Sequence, residues 1–175
     1  MSLLFKDSRK IVITYSRADE NYPSVQLEVG NTERLGDMII EYTHADKHHI
    51  EPAKPYPKGY KQCCDQALEE KNQGARPAVA NQLENLDNYD TIFFGYPIWW
   101  GDLPMPAYTF IEKLNFEGKT VIPFCTHEGS GNSNTFNSLK RKMKGAKFLK
   151  GIEIQGNRVD GSKEMVNKWL SAIGF

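Results

Sequence analysis

TIFFGYPIWWGDLPMP, residues 91–106, runs in succession through a short apolar segment, an aromatic loop and a proline-marked helix start. The continuous apolar run Thr91 to Tyr96 suits a strand covered on both faces, as in a parallel sheet. Pro104 and Pro106 fall where a helix can begin without losing a hydrogen bond, and Ala107, Phe110, Ile111 and Leu114 continue as a stripe with helical spacing. On either side of this stretch, Lys10 to Tyr15 (KIVITY) and Thr120 to Thr126 (TVIPFCT) repeat the strand pattern. Lys47 to Glu51 is a weaker strand candidate, as is Phe148 to Ile154, whose alternation suits a more exposed edge. Helical stripes lie between them: Leu35, Met38, Ile39 and Tyr42; Phe136, Leu139 and Met143; and Val166, Trp169, Leu170 and Ile173, the last with Ser162 as N-cap. Glu51 to Asn88 opens with a proline cluster, EPAKPYPKGY, and predicts one covering helix with Tyr60, Cys64, Ala67 and Leu68, then an irregular connection. Alternating strands and helices predict an α/β chain with right-handed crossovers and an open parallel sheet of five strands.

A chain of 175 residues, 39% hydrophobic and 25% charged, has enough apolar surface for one real core, and the expectation is a single domain over 1–175. Lysine plus arginine equals aspartate plus glutamate at 22 each, so no net field favours nucleic acid or an anionic membrane. The longest apolar runs are too short to span a bilayer and the N-terminus lacks the apolar core of a signal peptide, which predicts a cytoplasmic protein. Cys63, Cys64 and Cys125 match no zinc or redox spacing and read as small apolar side chains in a reducing compartment. His44, His48 and His49 have no carboxylate or cysteine cluster near them in sequence and read as surface or strand residues, not as a metal site. The basic run Lys140 to Lys147 reads as a solvated helix end beside its negative pole.

In such sheets ligands bind outside the carboxyl ends of the strands, where strand order reverses. Three loops leave those ends: Ser16 to Thr32, Pro97 to Leu103 and His127 to Asn134. The first ends in Gly30-Asn31-Thr32 ahead of a helical stripe, which sets free N–H groups at a helix start where an anion is favoured; the same residues also serve as ordinary caps. The second holds Trp99 and Trp100, and neighbours in an extended segment point opposite ways, so at least one faces a ligand. The third, from Thr126 through His127, Glu128, Gly129, Ser130 and Gly131, combines small residues with donors suited to a flat ligand. Nucleophilic catalysis by Ser130 with His127 is disfavoured, because no nucleophile elbow surrounds the serine and no acid orients the histidine.

Together KIVITYSRA, EVGNTERLGDMI, EPAKPYP, GYPIWWGDLPMP, THEGSG and GNRVD resemble the flavodoxin family over nearly the whole chain, in particular the quinone-reductase-like branch with a split phosphate loop. The resemblance implies a flavodoxin-like three-layer sandwich, a five-stranded parallel sheet of order 2-1-3-4-5 with helices on both faces, and FMN as cofactor. It implies that Ser16, Arg17, Asn31 and Thr32 surround the phosphate, with Ala18 in the same turn. Pro97, Ile98, Trp99, Trp100 and Gly101 would pack on the ring system and ribityl chain, and Thr126, His127, Glu128, Gly129 and Gly131 would wrap the other side. The compact phosphate loop of simple flavodoxins is here split into Ser16 and Gly30-Asn31-Thr32 by residues 17–29. The function so implied is reduction of quinones or other small acceptors with NAD(P)H, the alternative being a non-enzymatic electron carrier for a protein partner. The neutral chain departs from the acidic surface usual in carriers, which weakens that alternative. A homodimer is compatible with the reading.

Overall fold

The computed structural model describes Phe5 and residues 7–175. Its main sheet starts from β1 (Lys10–Thr14), β4 (Asp46–His49), β5 (Thr91–Pro97) and β6 (Thr120–His127), all parallel in the order β4-β1-β5-β6. The fifth position is shared by β7 (Lys147–Phe148) and β8 (Ile152–Gln155), both paired with β6, so the predicted five-strand order holds but the sheet has six strands. The predicted continuous strand Phe148 to Ile154 is broken at residues 149–151. Leu149 N–H donates to Val121 O, and the next bond of the ladder would need an N–H from Pro123, which proline lacks.

Strand alternation sends two sets of side chains to opposite faces, and each set finds its own helices. Val12, Phe93, Ile122 and Phe124 meet Leu35 and Ile39 of α1 (Asn31–Thr43) and Val166, Trp169 and Leu170 of α5 (Lys163–Ala172). Ile11, Ile13, Ile92, Phe94 and Val121 meet Ala107, Phe110 and Ile111 of α3 (Met105–Ile111) and Leu139 of α4 (Thr135–Lys142). The covering helix read from the sequence is α2 (Tyr60–Gln73), ended by Gly74 in the left-handed conformation. Ser162 stands at the N-cap of α5, but its hydroxyl donates to Val159 O at 2.7 Å and caps no helical N–H. The segment 17–29, which the sequence presents as plain loop, folds into an antiparallel hairpin of β2 (Asp19–Asn21) and β3 (Val25–Leu27). No helix among the described residues is long and apolar enough to cross a membrane.

On the α3 side, Arg76 donates to Glu112 through Nε (2.7 Å) and Nη2 (3.0 Å), and Lys142 adds a bond at 2.8 Å. These partners hold the Glu112 carboxyl down at about 2, against an ordinary 4.5. A carboxylate depressed in the folded state stabilises it above the unfolded value and loses that contribution as pH falls from 4.5 toward about 2. Glu112→Gln is therefore expected to flatten the acid limb of the stability curve in that window. An acid limb identical to that of the parent protein in thermal melts at stepped pH would contradict this.

Candidate functional site

Ser16 sits two residues beyond the end of β1, and its Oγ accepts the N–H of Glu33 in the first turn of α1 at 3.1 Å. Arg34 N–H returns to Gly30 O, which leaves the N–H groups of Asn31 and Thr32 without an acceptor among the described residues. Open donors at the positive end of a 13-residue helix are suited to an anion. Gly30 is required for a steric reason: a Cβ there would lie 2.1 Å from Ser16 Oγ and 2.6 Å from Arg17 O. The two halves of the split loop thus close on each other across the insertion. Thr32 and Thr126 share a buried hydroxyl hydrogen bond of 2.7 Å, which ties the start of α1 to the end of β6.

Beyond β5 the chain makes a tight turn in which Trp99 and Asp102 exchange backbone bonds of 2.9 and 3.0 Å. Trp100 (φ 52°) and Gly101 (φ 73°) form its centre, both in the left-handed region that a tryptophan seldom enters. The turn separates the two indoles. Trp99 packs edge-on against Tyr15 (5.5 Å) and Tyr56 (5.1 Å), while Trp100 stays 49% exposed with Nε1 donating to Cys64 O at 2.9 Å. Lys71 Nζ donates to Trp100 O and pins the turn to α2. Asp102 is occupied: its Oδ1 accepts Leu103 N–H (2.8 Å) and the Tyr108 hydroxyl (2.6 Å).

These elements enclose a cavity of about 430 Å³ at the carboxyl ends of β1, β5 and β6. Of the residues named from sequence, Ser16, Arg17, Asn31, Thr32, Pro97, Ile98, Trp99, Trp100, Thr126, His127 and Glu128 line it. Ala18, Gly101, Gly129 and Gly131 do not. The Ala18 carbonyl accepts a bond from Asn21 Nδ2 (3.1 Å), Gly129 N–H donates to His127 Nδ1 (3.0 Å), and Gly131 lies against Glu153. Arg17 lies in the wall, but its guanidinium donates to the carbonyls of Glu20, Pro57 and Lys58. Burial pushes the Glu128 carboxyl above the usual range, and its side chain meets no hydrogen-bond partner among the described residues.

Sequence reasoning missed the wall supplied by the hairpin and α2: Asn21, Tyr22, Tyr60, Lys61, Cys63, Cys64, Asp65 and Ala67. The stripe Tyr60, Cys64, Ala67 was legible as an apolar face, but nothing in its spacing distinguishes a face turned to a cavity from one turned to the core. Burial raises the Cys63 thiol to about 11, so it is protonated at neutral pH. His44 caps α1 in the left-handed conformation and His48 and His49 lie on β4; among the described residues no three histidine, cysteine or acidic side chains come together as a metal site.

The family model for flavodoxin matches residues 22–173. The chain belongs to the flavodoxin family. This flavodoxin-family chain is similar in structure to a protein of Bacteroides eggerthii classed as a candidate flavoprotein, with 30% identity, 97% of this chain and 99% of that one covered, and a TM-score of 0.77. A counterpart from Bacteroides uniformis gives 30% identity, 94% and 98% coverage and a TM-score of 0.72. A flavoprotein of Lactobacillus acidophilus, solved in complex with FMN, shares the fold at 17% identity, 88% and 97% coverage and a TM-score of 0.62. No curated protein matches the sequence.

Proposed function

We propose that this flavodoxin-family chain, acting as one domain, binds FMN in the cavity and reduces quinones or other small acceptors at the expense of NAD(P)H. The observation that carries the reading is the union, in one cavity, of an open helix N-terminus with a wall of two tryptophans and two tyrosines. The donor set fits a phosphate: the Asn31 and Thr32 N–H groups are open, Ser16 adds its hydroxyl, and Gly30 lets the two halves of the split loop close together. The aromatic wall fits a flat ring system, with Trp99 fixed by its two tyrosine neighbours and Trp100 held at the mouth by the strained turn.

When bound, FMN supplies the exchange of two electrons between donor and acceptor. The remaining work belongs to the chain. The first turn of α1 anchors the phosphate, and Ile98 and Trp99 give the cavity an apolar wall. The Glu128 carboxyl, desolvated and facing the cavity, holds a proton at higher pH than an ordinary glutamic acid and keeps it within reach of bound reactants.

The chain is neutral overall and Asp102, a candidate for an acidic rim that would dock a protein partner, is spent on Tyr108, which favours the small-acceptor reading over the carrier. The test is steady-state oxidation of NADPH by the FMN-loaded protein with a small soluble quinone and no other protein present. Turnover with the quinone is expected. Failure to turn over, combined with rapid electron delivery from the photoreduced protein to a protein acceptor, would replace this reading with the carrier.

A further inference from the structure

The hairpin β2–β3 has only a small apolar face, Val25 and Leu27 on one strand with Val25 exposed, against Asp19, Glu20 and Asn21 on the other. Hydrogen bonds from its root hold it in place. Arg17 sends Nη1 to Glu20 O within the hairpin, and Nη2 to Pro57 O (2.8 Å) and Lys58 O (2.6 Å) in the segment ahead of α2. Glu20 reinforces the same junction: its N–H donates to Lys58 O (3.3 Å) and its carboxylate accepts Tyr60 N–H (2.9 Å). Asn21 Nδ2 closes the near side on the carbonyls of Arg17 (3.3 Å), Ala18 (3.1 Å) and Asp19 (3.2 Å). No carboxylate pairs with Arg17 among the described residues. The junction brings Tyr22 to the cavity wall beside Tyr60, ring centroids 6.2 Å apart.

We propose that Arg17 is a positioning residue that clasps the insertion hairpin across the cavity, and that it holds the cofactor through the hairpin and not by contact with the phosphate. A planar guanidinium can bridge three carbonyls on two segments. A lysine ammonium at the same place keeps the charge but not the fork, so Arg17→Lys separates the two roles. The inference rests on the FMN reading for its binding arm alone.

Two variants, Arg17→Lys and Glu20→Ala, are compared with the parent protein for FMN and riboflavin affinity and, without flavin, for cleavage within residues 18–29 by a protease of broad specificity, with cut sites assigned by mass. Both variants are expected to weaken FMN and riboflavin by a similar factor, about tenfold, and to speed hairpin cleavage several-fold at an unchanged melting temperature. A loss for FMN that far exceeds the loss for riboflavin in Arg17→Lys would assign Arg17 to the phosphate and overturn the proposal, as would cleavage at the parental rate in both variants. If the parent binds neither flavin, the FMN reading fails, while hairpin cleavage still decides the clasp.

Discussion

Gly30→Val is expected to lower FMN affinity by at least about a hundredfold while the chain still folds. The residue is extended (φ −65°, ψ 152°), so valine meets no backbone objection, and the effect comes from space alone. The Cβ would stand 2.1 Å from Ser16 Oγ, which can rotate away, but also 2.6 Å from the backbone oxygen of Arg17, which cannot. The two halves of the split loop must then part. Donors displaced by even half an ångström from an anion lose much of a charge-assisted hydrogen bond, and several are displaced together. Riboflavin, which has no phosphate, should lose much less, unlike the even loss expected from Arg17→Lys. Fluorescence titration of both flavins checks this, and parental FMN affinity in the variant would contradict it.

Gly95→Val is expected to destabilise the fold by about 1–3 kcal/mol, a fall of roughly 2–12 °C in melting temperature for a chain of this size. Local propensity argues the opposite, because valine is favoured in strands and glycine is not. Packing decides the sign. A Cβ on Gly95 would lie 2.2 Å from Cε2 and Cζ of Phe124, a ring with no exposed surface on the neighbouring strand β6. β5 is flanked by β1 and β6, and neither the strand nor the ring has free volume to move into. The smaller Phe124→Leu change in the Gly95→Val background should recover part of the loss. Melting curves of the single and double variants test this, and a Gly95→Val melting temperature at or above the parental value would refute the packing account.

The same balance of local pattern against tertiary contact sets how much of the molecule can be read from its sequence. β1, β5 and β6 were legible because strands buried on both faces need unbroken apolar runs, and KIVIT, TIFFGYP and TVIPFCTH supply them. α1, α3 and α5 were legible from stripes that put Leu35 and Ile39, Ala107, Phe110 and Ile111, and Val166, Trp169 and Leu170 in the core, although Met38, Leu114 and Ile173 are only half-buried and Tyr42 is exposed. The break in the fifth strand was not, because its cause lies in Pro123 of the neighbouring strand. The hairpin was not, because strands of three residues are too short to show a period, and it is held by Arg17 and by the bonds of its own Glu20 to the segment ahead of α2. At the site, the sequence pointed to the loops after β1, β5 and β6, where small residues and exposed aromatics are conspicuous. It could not point to Tyr22 or Cys64, which reach the cavity only once the hairpin and α2 have docked.

Reconstitution tests FMN binding directly: the purified chain is incubated with excess FMN, desalted, and its absorption spectrum recorded against protein concentration. One FMN retained per chain, with the visible flavin bands perturbed by the aromatic wall, is the predicted result; a desalted protein with no flavin absorption would contradict the account.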